Sequence, residues 1–363
     1  MPINDDVMDA SVAHAINLLR ASGGISRRMM TILNKVDRDL IEKITLRLAF
    51  IEERGTDPGP TTTKRLARLQ AVVAEIIRES RDAFQKEVLL DLKDVAVHEV
   101  DHQRRLLAGF LPDELGVDIV IPSTSTLTVL ASQAQILGKP LDKMTKQWGT
   151  AKTSRVQEQI TIGVIEGETT AQIVRRIRGT KLRRFKDGIL ETSRRGAEMI
   201  VRTATTNIAS LAREALYKEN RDIIKGVRWV STLDDRTSAI CQSRDGKIYA
   251  IAQGPRPPAH PNCRSTTTPV IRSFKELGIN ANEISAGTRA SVNGQVPADL
   301  TYGQWIKRQS VATQNEALGK TKAELFRNGG LKLDKFVDDK GRPLTIPELK
   351  ATEAKAFKKA GIE

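Results

Sequence analysis

The amino-acid sequence predicts a mainly α protein with a small α+β module near residues 226–275. Three observations carry that expectation. Aromatic residues make up 4% of the 363 positions while charged residues make up 28%, so the cores must be built from Leu, Ile, Val and Ala. Upstream of about residue 225, apolar side chains recur at the three- and four-residue spacing of one helix face. After Lys225 the pattern changes, and GVRWVST, residues 226–232, alternates like a strand with Val227 and Trp229 on one face. A chain of this length is expected to form several units, because single cores stop growing well below it.

The first region, 1–120, reads as a helical domain. Val12, Ile16, Leu18 and Leu19 share one helical spacing, and Ile41, Ile44, Leu46 and Ile51 share another. The turn-rich RGTDPGPTTT at 54–63 breaks the pattern, with Thr61 to Thr63 placed to cap a second long helix that Pro112 closes. Region 121–225 opens with the polar IPSTSTLTVL and then LGKPLDKMTKQWG, a loop entering a short helix. Thr169 or Thr170 caps the next helix, which Gly179 stops, and a further helix runs to about 220. In the 226–275 module, Val227, Trp229 and Ser231 lie on one face of a strand, and GKIYAIA at 246–252 is a second short strand. Region 276–363 reads as a loop-rich extension with helices at 302–317, 321–327 and near 346–360.

The formal net charge is +14, which favours acidic surroundings such as nucleic acid or an anionic protein face. That charge is concentrated: residues 171–225 hold 14 Lys or Arg against 6 Asp or Glu. Arg175, Arg176, Arg178, Lys181, Arg183, Arg184 and Lys186 fall within twelve residues, dense enough to meet a phosphate backbone or an acidic partner. Phe185 is the single aromatic among them, too few to stack successive bases, so the alternative is a solvated helix face. No stretch approaches the roughly 18 apolar residues of a membrane span, and the acidic start MPINDDVMDA lacks the marks of a secretory signal. The expectation is a chain made in the cytosol, where a disulfide between the two cysteines is disfavoured.

Cys241, His260 and Cys263 form a C-x18-H-x2-C pattern, with Asp234, Asp235 or Asp245 near in sequence to add a carboxylate. Zinc takes such ligands, and the turn H-P-N-C can present two of them to one ion, although zinc modules usually carry paired knuckles. Packed thiols with His260 and Asn262 bonding the loop backbone are the structural alternative. A thiol nucleophile activated by His260 needs a third, orienting group that the spacing does not single out. A second motif, HEVDH, matches the zinc-protease pattern through His98, Glu99 and His102. It makes a metal-dependent hydrolase the alternative function, but Asp101 in the spacer, Arg104 and Arg105 directly after it, and the missing third ligand stand against it.

Read together, WVSTLDDRTSAIC (229–241), DGKIY (245–249) and PPAHPNCRSTTTPV (257–270) resemble the phage Mu F-type head morphogenesis family, the minor head or minor capsid proteins. The matching positions are Trp229, Asp234 or Asp235, Arg236, Thr237, Cys241, Asp245, Gly246, His260, Asn262, Cys263, Arg264 and Pro269. RTATTNIAS (202–210) and TYGQWIKRQSVATQNEALGKTKAELFRNGG (301–330) are similar to flanking segments of such proteins, so the resemblance spans most of 160–330. It implies a minor head protein of a tailed phage or prophage, acting in head assembly at the portal inside the capsid and in some members entering the cell with DNA. It implies no catalysis and no cofactor beyond the zinc candidate. The portal protein, other head proteins and packaged DNA are the implied partners; the virion interior, and the host cytoplasm during assembly, are the implied locations. The loop PPAHPNCRS is expected to close the module, His260 and Cys263 facing Cys241, with Arg264 paired to Asp234 or Asp235.

Overall fold

The computed structural model describes residues 3–54, 60–111, 118–278 and 287–362. Two long helices come first, α1 (Ile3–Glu53) and α2 (Pro60–Phe110). Helix α2 begins at Pro60 rather than at the threonines, because the missing N–H of a proline costs nothing in a first turn. Residues 55–59 of the predicted break, and Pro112, lie outside the described residues. Next come α3 (Thr124–Gln133), a hairpin of β1 (Gln135–Ile136) and β2 (Lys139–Pro140), α4 (Leu141–Ile165), α5 (Thr170–Arg178) and α6 (Ile189–Glu219).

The short helix expected in LGKPLDKMTKQWG is 25 residues long. Its buried stripe runs through Leu141, Thr145, Trp148, Lys152, Val156, Ile160 and Val164, and the two polar members hide it in the sequence. Each has a buried partner: Thr145 Oγ1 donates to Gln85 Oε1 at 2.6 Å, and Lys152 Nζ to Asp37 Oδ1 at 2.6 Å. Thr169 is the N-cap of α5, its hydroxyl accepting from the Gln172 N–H while the Gln172 side chain returns to the Thr169 N–H.

The chain divides into two compact units. One comprises residues 20–95 and 129–205, and its core joins Leu40, Ile44 and Leu48 of α1, Leu69, Val73 and Ile77 of α2, Val156 and Ile160 of α4, and Ile173 and Ile177 of α5. Asp37 is buried in this unit between Lys152 and Arg194, the latter at 3.0 Å.

The other unit comprises residues 1–19, 96–128 and 206–363. Its sheet has β3 (Ile224–Val230) in the centre, with β4 (Ile248–Tyr249) and β5 (Thr266–Ile271) antiparallel on either side, Val227 facing Tyr249 and Trp229 facing Thr267. The helix α7 (Ala239–Arg244) lies between β3 and β4 in sequence. Val227, Trp229 and Ser231 are buried, and so are Gly226 and Val230, so β3 is covered on both faces near its end. The strand expected over 246–252 is only two residues long, because the chain turns at once: the Gln253 N–H returns to the Ala250 carbonyl at 3.1 Å.

Beyond the module, the stretch read as loop contains a hairpin of β6 (Thr288–Ser291) and β7 (Gly294–Pro297), its strands too short to show a period; residues 279–286 lie outside the described residues. The helix expected over 302–317 is two, α8 (Tyr302–Lys307) and α9 (Val311–Leu318), because Ser310 caps a new start by accepting from the Thr313 N–H. Helix α10 (Lys320–Arg327) follows, then a 3-10 turn at Leu333–Phe336. The last predicted helix is also split, into α11 (Ile346–Thr352) and α12 (Ala354–Ala360), at Glu353, whose φ of −125° leaves the helical region. These helices share a core of Leu233, Leu300, Tyr302, Trp305, Ile306, Leu325, Phe336, Leu349 and Phe357. The protein is mainly α with a small α+β module, as predicted.

Candidate functional site

The residues singled out between 229 and 264 gather around the C-terminal end of β3. Trp229 is fully buried; its indole N–H donates to Ser231 Oγ at 2.9 Å, and Ser231 Oγ donates to the Cys241 carbonyl at 2.8 Å. Ser231 thereby ties the end of β3 to α7. Gly246 adopts φ +79°, and a Cβ there would sit 2.9 Å from Thr301 Cγ2, so glycine meets both a backbone and a packing demand.

Of the two aspartates, Asp234 is the partner of Arg264. The guanidinium donates from Nη1 to Oδ2 at 2.5 Å and from Nη2 to Oδ1 at 2.9 Å, a two-pronged pair. The Arg236 N–H also donates to Oδ1 at 3.2 Å, and Thr237 Oγ1 lies 3.0 Å from it. Burial opposes the charge on Asp234, but Arg264 outweighs it and holds the carboxyl below its ordinary value. Arg264→Ala is therefore expected to cost the folded state about 1–3 kcal/mol, whereas Asp235→Ala stays within about 0.5 kcal/mol. Urea midpoints of the two variants check this; equal midpoints would remove Asp234 as the specific partner.

Asp245 lies in a buried network that the sequence did not reveal. Its carboxylate accepts from Arg289 Nη1 at 3.1 Å and Nη2 at 3.2 Å, from the Ser231 N–H at 2.6 Å and from the Tyr302 N–H at 2.7 Å. Arg289 also donates to the carbonyls of Ser231 and Leu300, at 2.6 and 3.1 Å. The Tyr302 hydroxyl donates to the Asp234 carbonyl at 2.8 Å. Arg289 and Tyr302 thus lock the module from outside the 226–275 window. Tyr302 lay in a quoted flanking segment, whereas nothing around Arg289 marked it.

Cys241, His260 and Cys263 meet. Cys241 Sγ is 3.7 Å from Cys263 Sγ and 3.4 Å from His260 Nε2. The ring is oriented from both ends: Nδ1 donates to the Pro261 carbonyl at 2.8 Å, and Nε2 lies 2.8 Å from Ser238 Oγ. Asn262, at φ +57°, takes the left-handed turn that brings Cys263 back toward the ring, and the Cys263 N–H closes it on the His260 carbonyl at 3.2 Å. The Cys241 thiol and His260 pull the Cys263 thiol below its ordinary value, and the same contacts push Cys241 up and His260 up. A nucleophilic role for either thiol is at odds with burial, since Cys241 is 2% and Cys263 1% exposed.

The HExxH residues do not assemble a metal centre. His98 is exposed, while Glu99 is buried and pairs with Arg213 at 2.8 Å and with His14 at 2.7 Å. His102 stacks on His14, ring centroids 3.5 Å apart. Among the described residues, the one gathered trio of histidine, cysteine or carboxylate ligands is Cys241, His260 and Cys263. The motif match is helical periodicity: Glu99 faces a buried arginine and His98 faces solvent, which corrects the hydrolase alternative.

The basic residues lie in the other unit, where Ile173 and Ile177 face the core and leave the arginines of α5 outward. Arg175, Arg178, Lys181, Arg183, Arg184 and Lys186 are exposed. Arg176 is less so and pairs with Glu168. Thr180 donates to Asp187 from its N–H at 2.9 Å and its hydroxyl at 2.8 Å, closing the loop that carries four of these cations.

Residues 154–268 match the model of a family described as phage Mu protein F like protein. No curated protein and no solved structure matches the chain. The matched span contains Trp229, Asp234, Cys241, Asp245, His260, Cys263 and Arg264, the residues on which the resemblance rests, so the part of the chain over 154–268 is similar to phage Mu F-like proteins.

Proposed function

We propose that the protein is a minor head protein of a tailed phage or prophage, structural rather than catalytic, bound at the portal inside the capsid and acting in head assembly. The match over residues 154–268 carries this reading. Support comes from the six exposed cations between Arg175 and Lys186, which suit a place beside packaged DNA or an acidic face of the portal or another head protein. Among the described residues no helix is long and apolar enough to cross a membrane. On this reading the protein is made in the host cytoplasm, resides in the virion and leaves with the DNA.

The test is size-exclusion chromatography of the full chain mixed with the portal protein of the same phage, at low and moderate salt, alongside DNA retention. Co-elution with the portal is expected. The triple variant Arg175→Glu, Arg178→Glu, Arg183→Glu is expected to lower the log–log salt slope of DNA binding by about one per cation removed. Separate elution at every salt, together with heads that lack the protein, would overturn the proposal.

A further inference from the structure

We propose that Cys241, Cys263 and His260 bind a zinc ion, with the fourth position taken by a water beside Ser238. Tetrahedral zinc has bonds of about 2.3 Å to sulfur and about 2.0 Å to imidazole nitrogen, so its ligands lie about 3.8 Å apart for two sulfurs and about 3.5 Å for sulfur and nitrogen. The observed separations are 3.7 Å between the sulfurs and 3.4 Å from Cys241 Sγ to His260 Nε2. The three donor atoms all lie within 4.8 Å of one another. Both printed separations match the edges of a coordination tetrahedron. Two packed apolar thiols need no imidazole aimed at them.

The surroundings point the same way. A carbonyl oxygen can only accept, so the Nδ1 proton of His260 is fixed on Pro261, and in the neutral ring Nε2 presents its lone pair toward Cys241 and Ser238. A backbone carbonyl on the far ring nitrogen is the usual outer support of a metal-bound histidine. Two thiolates, one neutral imidazole and Zn²⁺ sum to zero charge, which a buried site tolerates. His260 is half-buried while both cysteines are buried, so the ion enters from the histidine side. Trp229 packs against Cys241 and Cys263 in one buried cluster, so a metal there would tie α7 to the H-P-N-C turn beside the sheet.

The experiment uses the full chain, reduced and metal-stripped, with both thiols counted by a thiol reagent before Co²⁺ is added. One equivalent of Co²⁺ is expected to give sulfur-to-cobalt charge-transfer bands and the visible bands of a tetrahedral ion, and Zn²⁺ should displace it. Zn²⁺ is expected to raise the melting temperature of the wild type. His260→Ala and Cys263→Ser should lose stoichiometric uptake, while His98→Ala retains it. If a variant does not fold, the wild-type spectrum and stoichiometry stand alone as the readout. A wild-type chain with two free thiols that takes up neither ion overturns the proposal. So does uptake unchanged in Cys263→Ser, or a Cys241–Cys263 disulfide that after reduction still leaves the chain unable to bind metal.

Discussion

Replacing Arg289 with alanine is expected to destabilise the unit built on β3 by about 3–5 kcal/mol, the usual penalty for stripping one partner from a buried ion pair. Arg289 is 2% exposed, and the Asp245 side chain is fully buried. Removing the guanidinium leaves a carboxylate with two backbone N–H donors and no counter-charge. It also strands the Ser231 and Leu300 carbonyls that Arg289 caps. A urea titration followed by tryptophan fluorescence reads the loss, because Trp229 and Trp305 both lie in this unit. A midpoint within error of wild type would show that Asp245 is held by its N–H donors alone.

Glu99→Gln is expected to cost a similar amount, about 3–5 kcal/mol, for a reason unrelated to proteolysis. The change leaves Arg213, 3% exposed, without its carboxylate. Burial alone would raise the Glu99 carboxyl, but Arg213 and then His14 outweigh it and hold it at about 2. His102 is pushed down to about 4, first by burial and then by the neighbouring His14. Both shifts act in the same direction. A carboxylate with a lowered folded value gives stability that is complete above its ordinary value of 4.5 and is lost as pH falls toward about 2. A histidine with a lowered folded value is protonated first in the unfolded chain, so stability falls from pH 6.5 to about 4 and levels off below that. Urea midpoints measured from pH 7 to pH 3 should decline throughout. Glu99→Gln should flatten the part below 4.5, and His102→Gln the part above it. A flat wild-type profile would contradict both assignments.

These two networks also show what the sequence could not supply. Helix positions followed from spacing wherever the buried stripe was apolar, as at Ile173 and Ile177, and the strand β3 followed from the alternation through Trp229. Stripes containing a polar member were misread: α4 looked short because Thr145 and Lys152 interrupt its apolar face. Helix interruptions at Ser310 and Glu353 depend on single residues, and one capping serine does not outweigh a helical composition. The Cys and His positions were legible because those residue types are rare in this chain and close in sequence. Arg289 was not legible, since its partner Asp245 is 44 residues away and an arginine in a basic chain draws no notice. Glu99 attracted attention for a motif, whereas its partners His14 and Arg213 come from two other segments.

The network around Asp245 and Tyr302 also decides where this chain tolerates a recombination joint. A foreign segment spliced in at residue 275 would keep every residue of the family match and still remove Arg289, Tyr302 and the apolar partners of Leu233. Such a chimera would inherit the recognisable signature without the means to fold it. Because the core reached by Leu233 extends to Phe357, exchange without loss of that core becomes feasible only beyond α12. The portion beyond the family match is thus the portion that evolution must carry along with the signature.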